Sequence, residues 1–282
     1  MIHLLALLLG IAAPAAQPQL QQLVRLVHIV QQQTSLPIYI GPVPPPMQLA
    51  VPESMAGISA DAAYVMIRDG ATDAEIAHEL AHIVLLSEHY VGSRGQGAVP
   101  LSGAMAANLQ DFILHPRLDR LTQSWQFPQS DLAAAHAARI LDYLRTACDA
   151  ETERRMGRIQ LAGNALGLAE VLQRGMGPID AIRQAASVHA PVALSLGTLL
   201  MERFPADPDI TPAASFDRAR QVLAFLDEQL ATRTGPSPSA AIQLIDAPRE
   251  PDIPPMLEQV IRAHWQSVRA QGSPDPRWIL PQ

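Results

Sequence analysis

The stretch Thr72-Asp73-Ala74-Glu75-Ile76-Ala77-His78-Glu79-Leu80-Ala81-His82-Ile83-Val84-Leu85-Leu86 carries the reading of this chain. Thr72 with Glu75 three residues on has the form of a capping box: the hydroxyl accepts from the backbone N–H at the third position and the carboxylate reaches back to the cap. A helix therefore starts here. At about 100° per residue, Ile76, Leu80, Ile83 and Val84 fall on one side, while His78 and His82 fall together on the other, one turn apart. Two imidazoles at i and i+4 can chelate one ion. Glu79 is rotated off their shared direction, so it can stand beside such an ion without ligating it and take a proton from water.

Upstream of this helix, residues 62–68 (AAYVMIR) read as a strand closed by the turn signal Asp69-Gly70. Six prolines between Pro37 and Pro52 surround the short string Ile38-Tyr39-Ile40, which predicts extended chain and loop. Still earlier, Leu20, Leu23, Val24, Val27 and Val30 recur at helical spacing through 17–33. Downstream, the periodicity predicts helices at about 103–114, 131–147, 153–174, 178–189, 192–203, 212–233 and 255–270, with Pro116 ending the first of them. The string 91–97 (VGSRGQG) reads as a flexible segment between two helices, and 235–255 as an irregular, proline-rich connection. The expected fold class is mainly α with a small β portion (α+β): a small sheet with the His78–His82 helix, then a helical C-terminal part. The expected divisions are an export signal at 1–16, a first lobe at 17–125, a helical lobe at 126–234 and a connection with the last helix at 235–282.

The whole chain has 282 residues and 30.4 kDa, with 48 % apolar residues, enough for a real core. Against 27 acidic residues stand 20 basic ones, all arginine, for a formal charge of −7. Nothing draws such a chain to nucleic-acid phosphates, and without lysine no Schiff-base chemistry is open to it. The single Cys148 can build neither an intramolecular disulfide nor a cysteine zinc cluster. Leu4 to Ala16 is an uncharged Leu/Ala run ending in Ala13-Pro14-Ala15-Ala16, which has the length and the small-residue site of a signal peptide. Cleaved, it places the protein in the periplasm or outside the cell; uncleaved, it is a buried first helix of a cytoplasmic protein. No later run has the continuity of a membrane span.

His78-Glu79-Leu80-Ala81-His82 is a His-Glu-x-x-His motif, and here the sequence resembles the zincin metallopeptidases. Composition alone yields such a match in roughly one chain in a hundred, and the capped helix with a strand before it narrows that further. The resemblance implies a zincin-like N-terminal lobe and one zinc ion. It also implies hydrolysis of peptide bonds in a peptide or protein substrate, with Glu79 as general base and then acid. In zincins the strand ahead of the helix runs along the cleft edge and pairs with extended substrate, a role that would fall to 62–68.

A catalytic zinc site takes a third protein ligand and keeps one position open. The metzincin spacing wants a glycine and a histidine where this chain has Leu85 and Glu88, and a gluzincin wants a glutamate where none occurs between Glu88 and Glu151. Asn108, Asp111 and His115 share one face of the next helix, and Asp111, 29 residues after His82, resembles the aspzincin arrangement. Asp111 is the expected third ligand. His115 is the alternative, followed by Glu151, Glu88 or His89. Asn108 and His115 could support a ligand or face a developing oxyanion, and Tyr90 or Tyr143 could donate to one. The competing reading is a non-catalytic zincin-like scaffold or a helical interaction protein, which would have no use for Glu79.

Overall fold

In the computed structural model, which describes residues 16–45, 54–250, 253 and 255–271, strands form around the predicted 62–68 stretch. The segment expected to be an export signal lies, up to residue 15, outside the described residues. Strands β1 (Ile38–Pro42), β2 (Met55–Ile58) and β3 (Ala63–Ile67) make a sheet of order β1-β3-β2. β1 runs parallel to β3 with Ile40 opposite Val65, and β2 antiparallel with Ala56 opposite Val65. The sequence Ala63-Tyr64-Val65-Met66-Ile67 is apolar throughout because both faces of β3 are covered. Ala63, Val65 and Ile67 enter one apolar cluster, and Tyr64 and Met66 enter another on the opposite face. β3 is therefore the central strand, flanked on both edges, and cannot pair with an extended substrate as expected. The edge strands are β1 and β2, and the Ile58 carbonyl of β2 accepts from Ile253 N–H at 3.1 Å.

Helix α1 (Ala16–Thr34) buries Leu23, Leu26, Val27 and Val30 on one face of this sheet beside α2 (Asp73–Ser87), while Val24 is turned partly to solvent. Thr72 caps α2, its Oγ1 accepting from Glu75 N–H. The Glu75 carboxylate departs from the capping-box expectation: it accepts from Arg68 Nε and Nη2 at 2.8 and 2.9 Å and from Ser54 Oγ at 2.7 Å. A guanidinium fork beside it is the stronger partner. α2 is buried on all sides from Glu75 to Leu86. Ile76, Leu80, Ile83 and Val84 face the sheet cluster, whereas Ala81 and Leu85 face a larger cluster built by the helices that follow.

Those helices are α3 (Ser102–Ser124), α4 (Ser130–Thr146), α5 (Ala150–Arg155), α6 (Arg158–Arg174), α7 (Ile179–His189), α8 (Pro191–Arg203), α9 (Pro212–Gln229), α10 (Pro238–Ala241) and α11 (Pro255–Ala270). The protein is mainly α with a small β portion, as expected. Three expectations are corrected. Pro116 lies inside α3, which continues to Ser124; the lost N–H is outweighed by burying Leu118 and Thr122 on the same helical face as Leu114. The stretch 153–174 is two helices, broken at extended Met156 and Gly157, because Asp149 caps α5 and Arg158 N–H bonds Thr234 O. The segments 91–97 and 235–255 are not only connections: β4 (Val91–Gly95) and β5 (Ile242–Asp246) pair antiparallel, Val91 opposite Asp246.

The last described helix packs back on the first sheet. Ile261 and Trp265 of α11 cover the sheet face that carries Tyr64 and Met66. Trp265 lies so close over Gly41 that a Cβ there would stand 2.4 Å from the indole, and its Nε1 donates to Pro42 O at 2.9 Å. The expected boundary at 125–126 falls in the connection from α3 to α4, but packing crosses it, since α3 lies within the helical cluster. Among the described residues no helix is long and apolar enough to cross a membrane.

Candidate metal centre

His78 and His82 stand one turn apart on α2, and the fold brings His115 of α3 against them. The three ring centroids are 4.9, 5.0 and 5.8 Å apart, and all three residues are buried. One ligand nitrogen from each lies within 4.8 Å of the other two. His78 Nε2 and His82 Nε2 approach to 3.3 Å. Zinc–nitrogen bonds of about 2.0–2.1 Å at the tetrahedral angle set neighbouring donors about 3.3 Å apart. The pair thus already has the spacing of two ligands of one ion.

The partners of the far ring nitrogens fix how these imidazoles present themselves. Gln129 Nε2 donates to Phe127 O at 2.9 Å and to Ala74 O at 3.2 Å, which leaves its Oε1 facing His78 Nδ1 at 3.2 Å. An amide oxygen there requires Nδ1 to carry the hydrogen, so the Nε2 lone pair is turned to the cluster. His115 Nδ1 sits 2.6 Å from Glu170 Oε1 and so carries a hydrogen too, while its Nε2 lies 3.3 Å from Asp111 Oδ1. His82 Nδ1 is buried with no hydrogen-bond partner among the described residues. Donor type and spacing fit a borderline-soft cation such as zinc.

Electrostatics divide the three rings. Burial, reinforced by His82 and His115, holds the His78 pKa well below its ordinary value. Burial likewise takes His82 down to about 4 against the opposing pull of Asp111. Both rings are neutral at neutral pH. For His115, burial opposes charge, yet the carboxylates of Asp111 and Glu170 outweigh it and raise its pKa to about 10, so a cation binding at its Nε2 would displace a proton. Burial would raise the Asp111 carboxyl, but His115, His82 and His78 hold it well below the usual carboxylate range. The negative potential of these two carboxylates favours a positive charge among the rings.

Asp111, the expected third ligand, is brought to the same place: its Oδ1 lies 3.3 Å from His115 Nε2, with its side chain 35 % exposed at the rim. Glu79 is buried on the same helix turn as the histidine pair. The other candidates are placed elsewhere. Asn108 Nδ2 donates to Gly163 O at 3.0 Å in a helix contact, and the Tyr90 hydroxyl donates to Ile210 O at 3.0 Å. His89 pairs with Asp246 at 2.7 Å, Glu151 pairs with Arg154 and Arg155 on the surface, and Glu88 is the exposed C-cap of α2. Tyr143 is exposed and stands beside Cys148. Glu153, two residues on from Glu151, is buried and accepts from Val192 N–H and Ala193 N–H at the start of α8.

Two participants carry no signal in the sequence. Gln129 lies 47 residues beyond His82, and Glu170 lies 55 beyond His115; both positions look like ordinary polar residues of helices until those helices pack. Neither the known protein families, nor the curated proteins, nor the solved structures contain a match to this chain.

Proposed function

We propose that this chain is a zinc-dependent peptidase in which His78, His82 and His115 hold the metal and Glu79 moves the proton. The observation that carries the reading is the convergence of three buried imidazoles on the helix turn that also holds Glu79. Zinc held there supplies Lewis acidity, lowering the pKa of water to about 7 and polarising a carbonyl. Glu79 takes a proton from the attacking water and gives it to the amine nitrogen as the C–N bond breaks. Gln129 keeps His78 in the tautomer that offers Nε2. Asp111 at the rim adds negative charge on the exposed side, where substrate arrives.

Zinc content by plasma mass spectrometry, on protein prepared without a histidine tag, tests this. About one equivalent is expected in the wild type and in Glu79→Gln, and none in His82→Ala or His115→Ala. Turnover of an unstructured protein substrate is expected to fall roughly 10²–10⁴-fold in Glu79→Gln. A wild type that takes up no zinc at neutral pH overturns the reading.

A second reading is favoured by the 3.3 Å approach of Asp111 Oδ1 to His115 Nε2: Asp111 as a fourth donor, closing a structural site. That reading expects Asp111→Asn to release the ion and Glu79→Gln to change nothing. The catalytic reading expects Asp111→Asn to keep it.

A further inference from the structure

We infer that Glu170 is a positioning residue for the third histidine, so that α6 is a working part of the metal centre. The inference rests on the metal reading above. Helices α3 and α6 lie side by side in the same direction, since their paired positions ascend together: Met105 with Gly163, Asn108 with Gly167, His115 with Glu170, Asp119 with Arg174. At the first two levels α6 carries only glycines. A Cβ on Gly163 would lie 3.6 Å from Met105 Cα and one on Gly167 3.3 Å from Asn108 Nδ2, so α6 runs in direct contact with α3 there. That approach places the Glu170 carboxylate within reach of His115.

Glu170 is itself held. Its Oε1, 2.6 Å from His115 Nδ1, also accepts from Arg174 Nη1 at 3.1 Å, and Oε2 lies 3.8 Å from His136 Nε2. Arg174, with 7 % of its side chain exposed, is clamped on its other side by both oxygens of Asp119, at 2.7 and 3.0 Å. The carboxylate is almost fully buried. Burying a carboxylate, a guanidinium and an imidazole, with Asp119 half-buried behind them, merely to hold two helices together is an inefficient device, because apolar residues of similar volume often serve as well or better. The glycine contacts already bring the helices together at the other end of the interface.

What this arrangement does uniquely is orient one ring. A carboxylate oxygen at 2.6 Å demands a hydrogen on Nδ1 and fixes the ring plane, which leaves Nε2 on the side of Asp111, His78 and His82. A carboxylate behind a ligating imidazole also raises its donor strength, and loss of such a partner typically lowers metal affinity about 10–100-fold.

The test is zinc affinity, by competition with a chromophoric chelator, on the folded wild type, Glu170→Gln and Asp119→Asn. Thermal melting of each metal-free protein and the visible spectrum of each cobalt-substituted protein accompany it. Asp119→Asn weakens the same buried ion network on the side away from His115. A positioning role expects Glu170→Gln to bind zinc about 10–100-fold more weakly with an altered cobalt spectrum, and Asp119→Asn to bind within about twofold of wild type, even where both lower the melting temperature. If both variants melt lower and both bind as the wild type does, Glu170 is structural and the inference falls while the metal site stands. If Glu170→Gln does not fold, Glu170→Asp is measured in its place, and unchanged affinity there overturns the inference equally. A wild type without zinc uptake removes the metal reading and this inference with it.

Discussion

The polar cluster at the sheet face under α11 and the one between α2, α3 and α6 differ in how deeply they are buried and in whether they are closed. At the sheet face covered by α11, Glu258 accepts from the Tyr64 hydroxyl at 2.6 Å, from Ser59 Oγ at 3.3 Å, and from Arg262 Nε and Nη2 at 3.0 and 2.7 Å. The Tyr64 and Trp265 rings pack beside it at 5.8 Å. Donors and acceptors are matched there, and the product is a docked helix. Between α2, α3 and α6 the titratable groups are buried more deeply, yet His82 Nδ1 has no hydrogen-bond partner among the described residues and the Nε2 atoms of His78 and His82 face one another at 3.3 Å. Two ring nitrogens turned on each other in a buried place do less for the fold's own stability than the matched donors and acceptors around Glu258.

The sharpest way to break the contrast is at Trp265. Trp265→Ala should cost about 3–5 kcal/mol in urea denaturation through loss of a buried indole, while zinc stoichiometry stays as in the wild type; parallel loss of zinc would show the clusters to be coupled. Free zinc at about a thousand times its Kd should stabilise the wild type by about 4 kcal/mol, reversibly with chelator, and leave the melting of His82→Ala unmoved. Gly41→Ala forces a Cβ against the indole and should cost about 1–3 kcal/mol, again without effect on metal.

Tyr64→Phe removes one donor to a charged acceptor and should cost about 1.5 kcal/mol. The smallest effect is in acid. Burial would raise the Glu258 carboxyl, but hydrogen bonds from Tyr64 and Arg262 outweigh it and lower its pKa. A carboxyl depressed on folding contributes stability that is complete above its unfolded value and is lost as pH falls through the folded one. Stability in Glu258→Gln should therefore fall less steeply than in wild type below about pH 4.5; identical slopes would remove Glu258 from the docking of α11.

Much of the chain was legible because its signals are local. Thr72 starts a helix by accepting one backbone N–H, the heptad-like spacing of later Leu and Ala residues forms helices wherever they pack, and Asp69-Gly70 turns the chain with Gly70 at φ 74°. Pro116 misled for a physical reason: a proline is read as a stop from its missing N–H and ring clash, a local cost, while its continuation into Leu118 and Thr122 is decided by burial against other helices. The strands β4 and β5 were invisible as a pair because their partners are some 150 residues apart, and Val91-Gly92-Ser93-Arg94-Gly95 has little strand character without Ile242-Gln243-Leu244-Ile245-Asp246 beside it.

For the candidate site the division is the same. The helical repeat alone determined that His78 and His82 share a face with Glu79 rotated beside them, because i and i+4 side chains meet on any α-helix. It also put Asp111 and His115 on one face of the next helix, with Asp111 the expected third ligand and His115 the alternative. Tertiary structure decided which imidazole completes the cluster and how it is turned. His115 reaches its place because α6 packs directly along α3, and its ring is oriented because Glu170 holds Nδ1. Such a choice depends on a carboxylate 55 residues away in sequence and 2.6 Å away in space, a distance that only packing sets.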